Sequence, residues 1–155
     1  MRYQTFAAMA ATAGLALAVP SLAQEGDVKD PETMMPEGGV ELMADLAPEN
    51  AAGGGDADGS GVFKAQLSLD SGQMCYRYAV DDIDDITGAH IRKGTEGYEG
   101  EVVVALELAE DGVVEACTTV DRDFAAELVA NAGEYNVTIR DEAHPNGALR
   151  GQLLR

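Results

Sequence analysis

An all-β fold, an antiparallel sandwich or barrel carrying one short helix, is predicted by three features of the 155-residue sequence. Seven short segments after residue 61 carry strand-type patterning, mostly an alternation of apolar and polar residues with a period of two, as strands buried on one face do. Turn-forming clusters separate most of them, among them Asp70-Ser71-Gly72, Asp111-Gly112 and Pro145-Asn146-Gly147. A single segment switches to helical spacing. Many short strands with one brief helix describe a sandwich or a barrel.

The elements follow in order. Residues 62–69 place Phe63, Ala65, Leu67 and Leu69 on one face, with Lys64, Gln66 and Ser68 between them. In 74–80, Tyr76, Tyr78 and Val80 share a face and Cys75 and Arg77 take the other. A short strand is expected over 87–92, and 102–108 is apolar enough to read as a central strand. Strands at 113–120, 135–140 and 148–154 complete the set. Between them Phe124, Ala125, Leu128, Val129 and Ala132 recur at helical spacing, with Asp121 or Asp123 to cap the start and Gly133 to end it. Upstream, residues 24–61 read as a flexible acidic linker, with Pro31, Pro36, Pro48 and a Gly- and Asp-rich run over 53–61. Inside that linker, 40–46 is expected to make at most two marginal helical turns. The domain boundary therefore falls at 62, with the β domain over 62–155.

Residues 1–23 have the layout of a signal peptide: Arg2, an uncharged apolar run over 7–19, then Pro20-Ser21-Leu22-Ala23 with small residues placed for cleavage after Ala23. The run of 13 residues falls short of the roughly 20 needed to span a bilayer. A periplasmic or secreted protein with no membrane span after cleavage is expected. The chain holds 28 Asp and Glu against 10 Lys and Arg, a net charge of −18, which argues against a nucleic-acid groove. Its two histidines exclude any site that needs three imidazoles. An even cysteine count in an exported chain points to one disulfide, Cys75–Cys117. Both cysteines lie on the polar register of their strands, so the bond is expected near the surface rather than through the core.

Four segments together resemble the chordin-type (CHRD) domain. They are Gly88-Ala89-His90-Ile91-Arg92-Lys93-Gly94, the stretch Gly100 to Leu106, Tyr135-Asn136-Val137-Thr138-Ile139-Arg140, and Pro145-Asn146-Gly147-Ala148-Leu149-Arg150-Gly151-Gln152-Leu153. The last is the most specific, and the resemblance covers roughly 62–155. It implies a sandwich or barrel related in shape to immunoglobulin and copper/zinc superoxide dismutase domains. It also implies a binding role, with no enzymatic activity established for the domain itself. The family's pattern is similar to Gly-x-His-Ile-His-x-Gly, with a further histidine on the strand that begins at Tyr135. Here Arg92 and Arg140 stand at those two places.

That substitution shapes the functional expectation. His90 and Arg92 point to one face of their strand, and Arg140 lies on the outward register of its own. With Arg150 they form a candidate ligand-binding set for a carboxylate, sulfate or phosphate group. The competing reading pairs these arginines with acids such as Glu96, Glu101 or Asp141. No catalytic residue, cofactor or metal ligand set is assigned: guanidinium groups cannot ligate zinc or copper, and His144 has no evident partner. Two acidic stretches, Asp56-Ala57-Asp58-Gly59-Ser60-Gly61 and Asp81-Asp82-Ile83-Asp84-Asp85, are incomplete calcium candidates. Asn136-Val137-Thr138 matches a glycosylation triplet but falls within a strand. The sequence thus predicts an exported, non-enzymatic binding or scaffolding module for an extracytoplasmic protein or a small anionic ligand. The alternative is a small periplasmic metal-binding protein or a divergent metalloenzyme.

Overall fold

A computed structural model of the chain describes residues 38–155. Eight strands and one helix follow one another as β1 (Val40–Leu46), β2 (Ser60–Leu67), β3 (Gln73–Asp81), β4 (Ile86–Lys93), β5 (Glu101–Ala105), β6 (Val113–Thr119), α1 (Arg122–Ala130), β7 (Tyr135–Asp141) and β8 (Leu149–Gln152). They build two four-stranded sheets, ordered β1-β2-β3-β6 and β5-β4-β7-β8, and every paired neighbour is antiparallel. The period of two explains the layering, since alternate residues must face opposite sides. Leu42, Ala44, Phe63, Ala65, Leu67, Tyr76 and Tyr78 from the first sheet meet Ala89, Ile91, Val137, Ile139 and Leu149 from the second in a single core. Helix α1 adds Ala125, Leu128 and Val129 to it, and the Asp121 carboxylate caps the helix by accepting from the backbone N–H groups of Asp123 and Phe124.

The architecture is a sandwich, not a closed barrel. At one side, however, β1 is stitched to the C-terminal segment by reciprocal backbone hydrogen bonds between Met43 and Leu154 and between Ala47 and Arg150. Ordered backbone of this kind corrects two expectations for the segment before residue 62. Residues 40–46 form a strand rather than helical turns, and a 3-10 turn at Pro48–Asn50 follows it. The physical reason lies in Val40, Leu42, Ala44 and Leu46, which alternate with Glu41, Met43 and Asp45 and bury their face against β2 and the core. The described part of the expected linker is therefore part of the domain. The expected signal peptide, 1–23, and residues 24–37 of that linker lie outside the described residues. A third correction concerns 102–108: β5 stops at Ala105 and is an edge strand, with Val102 46% exposed. Leu69, expected inward, follows the end of β2 and is exposed. The helix ends before Gly133, at Ala130, and Asn131 is its C-cap.

Turn chemistry is as expected where a positive φ is required. Gly72 sits at φ +72°, and a Cβ there would collide with the Val120 carbonyl oxygen. The disulfide joins Cys75 to Cys117, residues directly opposite one another on β3 and β6 with their Cα atoms 4.0 Å apart. Two residues further along that outward face, Arg77 and Glu115 are also opposite and form a 3.0 Å ion pair. The bond thus links neighbouring strands on the outside of one sheet, as the polar register of both cysteines requires.

Candidate functional site

The second sheet places its polar residues by the same alternation that fills the core. On β4, Ala89 and Ile91 turn inward, leaving Gly88, His90 and Arg92 on the outer face. On β7, Val137 and Ile139 turn inward and leave Asn136, Thr138 and Arg140. Register then aligns the rows: Gly88 faces Arg140, His90 faces Thr138, and Arg92 faces Asn136. On the other side of β7, Thr138 faces Arg150 and Asn136 faces Gln152. His90, Arg92, Arg140 and Arg150 therefore occupy one face. Gly88 leaves room for this arrangement, since a Cβ there would lie 2.9 Å from His90 Cε1 and 3.6 Å from Arg140 Cδ.

This outer face is largely buried: Arg92 is 9% exposed and Arg150 4%, while Asn136 and Thr138 are also enclosed. The connection between β4 and β5 supplies the cover, and the polar side chains hold it by its carbonyls. Arg150 Nη2 donates to Thr95 O at 2.7 Å and Tyr98 O at 3.0 Å. Arg92 Nε donates to Gly100 O at 3.2 Å. Asn136 Nδ2 and Gln152 Nε2 both donate to Gly94 O, at 3.0 and 2.9 Å. Asn136, Thr138 and Gln152 are not among the candidate site residues expected from the sequence, although strand alternation puts each on the outward register. The burial of Asn136 also puts the glycosylation triplet out of reach of a modifying enzyme.

No ion pair between Arg92, Arg140 or Arg150 and a carboxylate exists among the described residues. Glu96, Glu101 and Asp141, the acids expected to neutralise them, do not pair with them. Four buried nitrogens on this face have no hydrogen-bond partner among the described residues: His90 Nδ1, Arg92 Nη1, Arg140 Nε and Arg150 Nε. Burial pushes the His90 pKa down, and the nearby Arg140 and Arg92 guanidinium groups push it further in the same direction. Burial likewise lowers the Arg150 pKa, opposed by Glu99 and Glu96 and reinforced by Arg92. Like charges are thus gathered in a protein of net charge −18. As a metal centre the face is poor, because one imidazole among three guanidinium groups offers a single ligand.

His144 does have a partner, contrary to the sequence reading. It lies 3.0 Å from both carboxylate oxygens of Asp141, at the end of β7. Neither a curated protein nor a solved structure matches the chain. The CHRD domain family model matches residues 42–153. This span takes in β1 as well as the two sheets' other strands, so the chain belongs to the CHRD-domain family.

Proposed function

We propose that the protein is an exported, non-enzymatic binding module that holds a small oxyanion on the outer face of β4, β7 and β8. The ligand group is a carboxylate, sulfate or phosphate, free or carried by an extracytoplasmic partner. His90, Arg92 and Arg140 contact it, and Arg150 fixes the covering 94–100 connection. The carrying observation is the set of unpartnered guanidinium and imidazole nitrogens on a face where, among the described residues, no arginine forms an ion pair with a carboxylate. Guanidinium groups in that condition favour a bound oxyanion, which supplies acceptors and charge together. A non-enzymatic role is supported by the wiring of the face: the Thr138 hydroxyl donates to Asn136 Oδ1 rather than to a base. Export is supported by the leader-like sequence over 1–23 and by the disulfide, which fits an oxidising compartment.

Thermal unfolding in sodium sulfate or phosphate, against sodium chloride at matched ionic strength, tests the reading. At about ten times its dissociation constant an anion adds about 1.4 kcal/mol, a rise of about 5 °C for a domain of this size. Sulfate also strengthens apolar burial in any protein, so the Arg92→Gln/Arg140→Gln double variant is the reference. The wild type should gain more from sulfate than the variant does. Equal gains would overturn the site.

A further inference from the structure

A second cluster lies at the end of β7, built from residues that the anion face does not use. Asp141 keeps the inward register of Val137 and Ile139 and is 3% exposed. The partners of its carboxylate among the described residues are two atoms of His144: the backbone N–H donates to Oδ1, and Nδ1 lies 3.0 Å from both carboxylate oxygens. No Lys or Arg pairs with it among the described residues. Asp56 arrives from the β1–β2 connection, where its backbone N–H donates to Ala148 O at 2.9 Å and fixes it beside the β7–β8 turn. Ligand atoms of Asp56, Asp141 and His144 all lie within 4.8 Å of one another. The cluster borders a depression of about 380 Å³ also lined by Asp82, Asp84, Asp85 and Glu142. Both acidic stretches of the sequence, distant along the chain, therefore converge on one depression beside Asp141.

We propose that Asp56, Asp141 and His144 bind a divalent transition-metal ion of the zinc class. Two observations separate this cluster from an ordinary acidic surface. An almost fully buried carboxylate on a core-facing register is costly unless positive charge meets it. The donor set also mixes an imidazole nitrogen with carboxylate oxygens, which suits zinc better than calcium, an ion that takes six to eight oxygens. Zinc bonds of about 2.0–2.2 Å put neighbouring donors in a tetrahedral shell a little over about 3 Å apart. The 3.0 Å spacing between His144 Nδ1 and the Asp141 oxygens comes close to that. Asp56 closes a third corner by rotating its side chain inward, and the fourth position stays open to solvent or a partner. The surrounding carboxylates raise the local cation concentration.

The test is calorimetric titration of the full, disulfide-bonded protein, freed of metal by chelator, with zinc chloride, and separately with calcium chloride. One equivalent of zinc should bind, with affinity lowered about tenfold or more by His144→Asn and by Asp56→Asn. Both variants should keep the wild-type circular dichroism and a cooperative melt, at a lower temperature for His144→Asn because the buried Asp141 carboxylate loses its side-chain partner. They carry the test because Asp141→Asn, at a buried site, can fail to fold. Zinc binding unchanged in both folded variants would overturn the proposal, as would calcium binding tighter than zinc. So would zinc lost on His90→Ala and retained on His144→Asn, which would place the ion on the other face. The first two results leave sulfate binding at Arg92 and Arg140 untouched, and only the third, which puts the ion beside His90, bears on that face.

Discussion

Arg150 is enclosed in the outer layer of the second sheet and spends its guanidinium on backbone carbonyls of two connections, Asn50 on one and Thr95 and Tyr98 on the other. Replacing it with methionine keeps much of the volume and leaves those carbonyls without their donor. Buried polar groups stripped of a partner cost about 1–3 kcal/mol each, so Arg150→Met should lower the urea unfolding free energy by about 2–4 kcal/mol. Arg150→Lys should recover only part of this, since an ammonium lacks the planar fork. His90 makes a pH-dependent contribution of known sign. Its folded pKa lies below the unfolded value of about 6.5, so the fold prefers the neutral ring. Between those two values the unfolded chain binds more protons, and stability falls as pH falls through that window. His90→Gln removes this contribution. The wild type minus variant difference in unfolding free energy should therefore be larger at pH 8 than at pH 5. Acid loss from the carboxylates is common to both proteins and cancels. A difference that grows toward pH 5 would contradict the assignment.

The strands that alternate cleanly were legible before any coordinates: β2, β3 and β7 face inward with the residues their spacing dictates. β1 was equally legible in principle, since Leu42, Ala44 and Leu46 alternate with Met43 and Asp45. It was misread because nearby prolines and glycines gave the whole segment the composition of a linker. Apolar density misled in the opposite way at β5, where a continuous apolar run lies on an edge and leaves Val102 and Leu108 exposed. Alternation also placed His90, Arg92 and Arg140 on outward registers, and register on β4 and β7 then made them neighbours. The carbonyl cover contributed by residues 94–100 could not be foreseen, because backbone acceptors leave no mark on side-chain pattern. Two predictions follow from β1 and the disulfide. A chain starting at residue 62 loses the strand that covers β2 and bonds to the C-terminal segment. It should lack a cooperative melt, whereas a chain starting at residue 38 keeps one, as circular dichroism on heating can show. The Cys75→Ala/Cys117→Ala variant should unfold at lower urea. The 42-residue separation sets an entropic ceiling of about 4 kcal/mol on the loss.

Charge is distributed unevenly over the sandwich. Asp56, Asp82, Asp84, Asp85, Asp141 and Glu142 crowd one depression, while the three arginines lie together on the outer face of the second sheet. Few acids are offset nearby, because the ion pairs with Lys or Arg among the described residues are Arg77–Glu115 and Lys93–Glu127, both at the surface. Surface pairs of that kind contribute little, so most of the net charge of −18 acts as self-repulsion that unfolding relieves. Added salt should then stabilise the fold in two separable ways. Sodium chloride shortens the screening length from about 30 Å at 0.01 M to about 8 Å at 0.15 M, so the melting temperature should climb by about 5 °C or more over that interval and then level off. Sulfate, matched for ionic strength, should add a further saturating rise that depends on Arg92 and Arg140. The two effects share a direction but not a residue. The double variant should therefore keep the chloride response in full and lose the sulfate increment alone. A wild-type melting temperature indifferent to chloride below 0.15 M would mean that the acidic depression already holds its countercharge, and the repulsion argument would fail with it.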